Sequence, residues 1–232
     1  MNDIAKKVHI VKENMYRAAE RVGRDPHTIR LVAATKYVPV RRIRQALEAG
    51  ITICGENRWQ EAQTKMEEIG QRNDLVWHFL GRLQRRKLKR IVGRVALIHS
   101  VESYEQAEEL NGRAQEQGLL QAILLEVNVG GEETKGGFTH DALLADVSKL
   151  DQMPHLRIQG LMTVPPRVAN PEAVRPYFCR LQQLANKVTA KNLSRLRMDE
   201  LSMGMSQDYE IAIEEGATYV RIGKAIFGER MP

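Results

Sequence analysis

Eight short apolar runs, each bounded by turn residues, constrain this chain more than any other feature. In order they read IRLVAATK, ITICGEN, VWHFLG, VALIHSV, LQAILLEVNV, LRIQGLMTV, LRMDELSMGM and TYVRIGKAIFG. Their aliphatic and β-branched content is continuous rather than alternating, the pattern of strands covered on both faces, and such strands belong to parallel sheets. Most are followed by a charged segment with apolar residues three and four apart, as in 41–49, 59–69, 104–117, 141–150 and 171–189. Eight strand–helix units in 232 residues predict an α/β fold, a single (β/α)8 TIM barrel, rather than an open doubly wound sheet. Residues 3–22 are expected to form an extra N-terminal helix. No Pro/Gly/Ser-rich linker divides the sequence, so 1–232 reads as one domain.

An apolar fraction of 43% and a charged fraction of 28% are those of a folded globular protein and exclude intrinsic disorder as the default. Cys54 and Cys179 are too few for a disulfide framework and lack metal-site spacing. The N-terminus is charged throughout, and no later apolar run reaches the length of a membrane span. These features together predict a cytoplasmic protein without a membrane partner, and the sequence leans toward a monomer. Net charge is +6, and Gly81 to Arg90, GRLQRRKLKR, carries six basic residues and no acid. Two readings of that run stand open: a solvated helix face, or a patch for an acidic partner or nucleic acid. Few aromatics lie nearby to stack on bases, which argues against nucleic acid.

In a barrel of this kind the functional site lies at the C-terminal ends of the strands, and a phosphate is commonly held by the loops after strands seven and eight. The stretch LSMGMSQDYEIAIEEGATYVRIGKAIFGER, 201–230, falls there. Gly204 and Gly223 would let backbone amides approach an oxyanion, Ser206 offers a hydroxyl, Arg221 a cation, and helix N-termini partial positive charge. On spacing alone the glycines serve tight turns equally well. At the other end of the chain Lys36 closes the first apolar run. A lysine there is either solvated or directed into the barrel mouth, where burial disfavours the ammonium and leaves a nucleophilic amine. Barrel closure sets strand one beside strand eight, so Lys36 and the anion cradle become neighbours. A phosphate beside an amine that can take up an aldehyde describes pyridoxal 5′-phosphate, PLP.

Ala33-Ala-Thr-Lys36, Gly55-Glu-Asn57, His78-Phe-Leu-Gly81 with Leu83-Gln84, His99-Ser-Val101, Val127-Asn128, Gly160-Leu-Met162 and the terminal stretch form an ordered set. In that set the chain resembles the pyridoxal phosphate homeostasis protein family, from the N-terminal helix to Arg230. The resemblance implies a barrel like the N-terminal domain of alanine racemases, a fold-type III-like arrangement, with PLP on Lys36 as an internal aldimine. It also implies that Ser206, Arg221 and Gly223 surround the phosphate, with Arg221 near the ring, and that Asn57, Leu80 and Met162 lie close to the cofactor. Arg86 stands where the family commonly has asparagine before Lys87, and Gly130-Gly131 and Gly136-Gly137 replace more typical serines around Lys135. Those departures bear on any partner surface and leave the cofactor positions intact.

Similar racemase and decarboxylase barrels complete their sites with a second β-rich domain and a neighbouring subunit. This sequence carries no such domain up to Pro232, so the expectation is a PLP-binding protein without a dedicated reaction. It would act in vitamin B6 and amino-acid homeostasis and hold, buffer or deliver PLP to PLP-requiring apoenzymes. An amino-acid racemase or decarboxylase is the enzymatic alternative, and a basic interaction protein a third. His78 and His99 are read as structural hydrogen-bonding groups or proton shuttles. Cys54 is read as a core residue, and Tyr37 and Tyr209 as packing groups or acids beside the site. No residue is assigned a catalytic role, and no spacing suggests a metal.

Overall fold

The computed structural model describes residues 2–132 and 134–229, so Arg230 lies outside the described residues. Eight parallel strands close in sequence order: β1 (Arg30–Ala34), β2 (Ile53–Glu56), β3 (Val76–Phe79), β4 (Leu97–Val101), β5 (Gln121–Glu126), β6 (Leu156–Met162), β7 (Glu200–Ser202) and β8 (Tyr219–Ile222). Closure is carried by β1 against β8, in the register Arg30 to Tyr219, Leu31 to Val220, Val32 to Arg221 and Ala33 to Ile222.

Side-chain alternation divides the sheet into two cores. Leu31, Ala33, Val220 and Ile222 join the large core shared with the surrounding helices, whereas Val32, Ile53, Leu97, Leu124, Met162 and Tyr219 fill the barrel interior. Each strand is thus buried on two sides, which is why its sequence lacks polar alternation. The helices α2 (Val40–Glu48), α3 (Trp59–Ile69), α4 (Leu88–Ile91), α5 (Tyr104–Glu116), α6 (His140–Leu150), α7 (Arg175–Thr189), α8 (Tyr209–Glu214) and α9 (Lys224–Phe227) form the outer layer. Ser103 and Thr139 start α5 and α6 by accepting the amides of Gln106 and Ala142.

The extra helix α1 (Asp3–Arg21) is capped by Asn2 and buries Ile4, Val8, Val11, Met15, Ala18 and Ala19. It is fastened to α8 by Arg21 pairing with Glu210 and Glu214, and its C-terminal extension by Arg24 donating to the carbonyls of Ile213 and Ala217. Three sequence expectations are adjusted. The helix expected over 171–189 begins as a 3-10 turn, Pro171–Val174, and becomes α7 only at Arg175. The seventh apolar run yields a strand of three residues, because Gly204 turns away at φ +87° and a Cβ there would stand 2.9 Å from the Tyr209 backbone. The basic run is not one helix face: it is a loop, the 3-10 turn Arg85–Lys87 and the four-residue α4, with Leu83 and Leu88 buried between exposed cations.

Candidate functional site at the barrel mouth

Pairing between β1 and β2 continues past the strand, with the Thr35 amide donating to the Gly55 carbonyl at 2.9 Å, and Lys36 follows as the first residue of a turn at the C-terminal end of β1. Lys36 is half-buried and its ammonium stands 4.9 Å from the ring centre of Tyr37. Tyr37 is exposed and takes a left-handed φ of +62°, and the Val38 amide closes the turn on the Thr35 carbonyl at 2.9 Å. Following the register from Ala33 and Ile222, Ala34 falls level with Gly223, and Lys36 rises two residues above it.

The two small-residue segments of the terminal stretch meet. Ala225 donates its amide to Ser206 Oγ at 3.1 Å, and Arg221 donates its amide to the Gly204 carbonyl at 3.0 Å. Asp208 shapes the same loop by accepting the Met205 amide at 2.6 Å. The helices that follow are only six and four residues long, so an anion placed here would meet loop amides and the Ser206 hydroxyl more than helix dipoles. Gly81 brings Asn57 and Leu80 together: a Cβ at Gly81 would lie 1.9 Å from the Asn57 carbonyl oxygen. Leu80 packs on the interior cluster that contains Met162, giving the mouth an apolar wall.

Arg221 is spent differently from the expectation of a cradle cation. Its guanidinium donates to Ser202 Oγ at 2.6 Å and to the Thr163 carbonyl at 2.8 Å, inside the barrel. From Ser202 a chain of hydrogen bonds runs down the interior, 2.8 Å to His99 Nδ1 and 2.9 Å from His99 Nε2 to His78 Nδ1. Because the guanidinium only donates, the Ser202 hydroxyl proton goes to His99 Nδ1, and His99 donates from Nε2 to His78. Both imidazoles are therefore assigned the Nε2–H form, the arrangement that leaves no hydroxyl proton without an acceptor. Desolvation pushes His78 down to about 3 and His99 well below the ordinary histidine value, with the Arg30 charge adding to both. Both shifts favour neutral imidazoles engaged in this hydrogen-bond chain.

Desolvation also draws Arg221 down to about 10, opposed by Glu126 and Asp208. In return burial raises both carboxyls, and Arg221 restrains each. Cys54 is enclosed in β2 and its thiol is pushed up to about 12 by desolvation first and Glu56 second. Tyr209 is buried, its hydroxyl accepting from Asn14 at 3.1 Å, so it packs α8 on α1. In the basic run Arg82 pairs with Glu102 at 3.1 Å and Arg85 with Glu109 at 2.7 Å. A polar cleft of about 350 Å³ beside Asn57 is lined in part by Arg58, Arg82 and Lys87.

The structure thus brings together Lys36, Ser206 and Gly223 by strand closure, and Asn57, Leu80 and Met162 by the β2–β3 crossing and the interior. Sequence reasoning missed the partners of Arg221 and the ionic cluster of Glu56, Glu61 and Lys65 beneath Lys36. A charge inside the run ITICGEN was the available signal.

The family model for the alanine racemase N-terminal domain matches residues 8–231. A pyridoxal phosphate homeostasis protein of Aquifex aeolicus is 45% identical over 220 residues, 95% of each chain. That of Escherichia coli K12 is 34% identical over 233 residues, covering 99% of this chain and 98% of the relative. This chain belongs to the pyridoxal phosphate homeostasis protein family. Among solved structures, PipY of Synechococcus elongatus PCC7942 with PLP bound superposes at a TM-score of 0.81 with 34% identity, covering 93% of this chain and 100% of PipY. An alanine racemase of Clostridium difficile, at 15% identity and a TM-score of 0.73, covers 97% of this chain and 60% of its own and shares the barrel fold.

Proposed function

We propose that this family member binds PLP through a reversible covalent bond to Lys36 and serves PLP and amino-acid homeostasis without a dedicated reaction. The observation that carries the reading is the juxtaposition made by closure: a half-buried primary amine two residues above the level of Gly223, whose loop is hydrogen-bonded to Ser206. The donor set suits the cofactor, with an amine for an aldehyde, a hydroxyl and loop amides for a phosphate, and Leu80 and Met162 for a ring face. PLP bound in PipY supports the same assignment.

When bound, PLP supplies an aldehyde and an electron-withdrawing ring. Lys36 provides the amine, Ser206 and Gly223 receive the phosphate, and Asn57 borders the mouth. Arg221, held by Ser202 and Thr163, presents a fixed positive charge that disfavours protonation of any nearby ring nitrogen and weakens the ring as an electron sink. That suits custody of the cofactor, and delivery to PLP-requiring apoenzymes, better than turnover. Borohydride treatment of the PLP-loaded protein followed by peptide mapping is expected to place the label on Lys36. A Lys36→Ala variant that keeps the same absorbance and the same label would refute the assignment.

A further inference from the structure

Lys36 sits between two peptide planes that are both tied to one buried ionic cluster outside the barrel wall. Lys65 on α3 is 7% exposed and Glu56 at the end of β2 is fully enclosed. The Lys65 ammonium donates to Glu56 Oε1, to Glu61 Oε2 at 3.1 Å and to the Thr35 carbonyl at 2.7 Å, which uses all three of its protons. Glu61 Oε2 accepts the Tyr37 amide at 2.9 Å. Glu56 accepts the Thr35 hydroxyl at 2.9 Å and the Asn57 amide at 2.9 Å. The Thr35 carbonyl belongs to the peptide before Lys36, and the Tyr37 amide to the peptide after it. With a hydrogen bond on each flanking peptide, the backbone torsions of Lys36 are restrained from both sides.

We infer that Lys65, acting with Glu56 and Glu61, is a positioning residue that aims the Lys36 amine and sets Asn57 in the same motion. The inference rests on the reading of Lys36 as the amine that takes PLP. Stability alone is a poor reason for such a cluster, because a buried ion pair is often matched or exceeded by apolar residues of similar volume. The left-handed Tyr37 is a strained backbone position that the Glu61 contact helps to hold. Both costs fall at the turn that carries Lys36.

The test uses the full chain with Glu56→Gln and Lys65→Met together, which removes both enclosed charges at once and leaves the partly exposed Glu61 facing Arg58 at 3.8 Å. PLP attachment is followed by absorbance and borohydride labelling. Non-covalent binding is followed with pyridoxine 5′-phosphate, which has the phosphate and ring but no aldehyde. In the PLP-free protein, amide hydrogen exchange is read at Tyr37 and Val38. The double variant is expected to attach PLP at least about tenfold more slowly, and its Tyr37 and Val38 amides to exchange faster, while pyridoxine 5′-phosphate binds within about twofold of the parent. Should the double variant not fold, Glu61→Leu releases the Tyr37 amide alone and is expected to slow attachment, and Glu61→Gln, which keeps an accepting oxygen, to restore it. Attachment that is undiminished in these variants overturns the positioning role and leaves the Lys36 assignment standing. Pyridoxine 5′-phosphate binding that falls in step with attachment likewise overturns it, as a general loss of structure. A parent protein that takes no label at Lys36 overturns both.

Discussion

The buried histidine pair should make the fold acid-sensitive in a calculable way. An unfolded histidine titrates near 6.5, whereas desolvation holds His78 at about 3 and His99 well below its ordinary value. Below pH 6.5 the unfolded chain takes up protons that the folded barrel refuses, so their contribution is complete above that pH and is lost as pH falls toward 3. Between pH 7 and pH 5 the loss is about 2 kcal/mol for His78, and His99 adds a loss of the same sign. Glu126 and Asp208, whose carboxyls burial raises, act with the opposite sign and regain stability over part of the same range. The decisive quantity is therefore a difference. Urea unfolding of the parent and of His78→Asn/His99→Asn is measured at pH 7, 6 and 5; asparagine keeps a donor and an acceptor at each position but takes up no proton. The parent should lose at least about 2 kcal/mol more than the variant across that range. Parallel curves would refute the reasoning, and so would a nitrogen NMR titration showing either imidazole protonated near pH 6 in the folded protein. The same spectra should show both rings protonated at Nε2, as the donor chain from Arg221 requires.

Three further outcomes are expected. Gly81→Ala drives a Cβ against the Asn57 carbonyl at 1.9 Å and should lower stability by about 1–3 kcal/mol in thermal melts, with a larger proportional loss of PLP affinity. Ser206→Ala removes the acceptor of the Ala225 amide and the hydroxyl proposed to receive the phosphate, so equilibrium titration should give about tenfold weaker PLP binding with about 1 kcal/mol of stability lost. Replacing Arg85, Arg86 and Lys87 by glutamine should leave PLP attachment unchanged while reducing the salt dependence of retention on a heparin column.

The fold was legible because each strand and helix advertises its burial independently. Trp59–Ile69 appears as read, and α1 and α5 differ by a single terminal residue. Ser206, Gly223 and Lys36 were legible as a group only through topology, since barrel closure converts the largest separation in sequence into neighbouring strands. What stayed hidden depends on direction. Arg221 is an arginine in a glycine-rich stretch whether it faces the cradle or the interior, and only its bonds to Ser202 and Thr163 decide. Lys65 looks like a solvated helix lysine paired with Glu61 four residues earlier, yet it occupies the buried stripe with Trp59, Ala62 and Ile69. The basic run misled because its cations are distributed over a loop and two short turns, with two of them answered by Glu102 and Glu109.

The protonation states of the interior bear on whether the site holds PLP or also turns something over. A group that moves a proton at neutral pH must be able to change charge there. The His78–His99 pair is neutral and engaged, while the Cys54 thiol and the Tyr219 hydroxyl are each pushed up to about 12 by burial. Glu126 is different: it ends β5, level with Met162, and desolvation raises its carboxyl above the ordinary glutamate value while Arg221 restrains it. If the PLP-loaded protein exchanges the α-proton of any amino acid, Glu126 is the group most suited to carry it. Glu126→Gln is then expected to abolish such exchange, read by deuterium incorporation from heavy water, while borohydride labelling of Lys36 proceeds at the parent rate. Exchange that survives the substitution would assign the proton to Lys36 itself, the amine proposed to take up PLP.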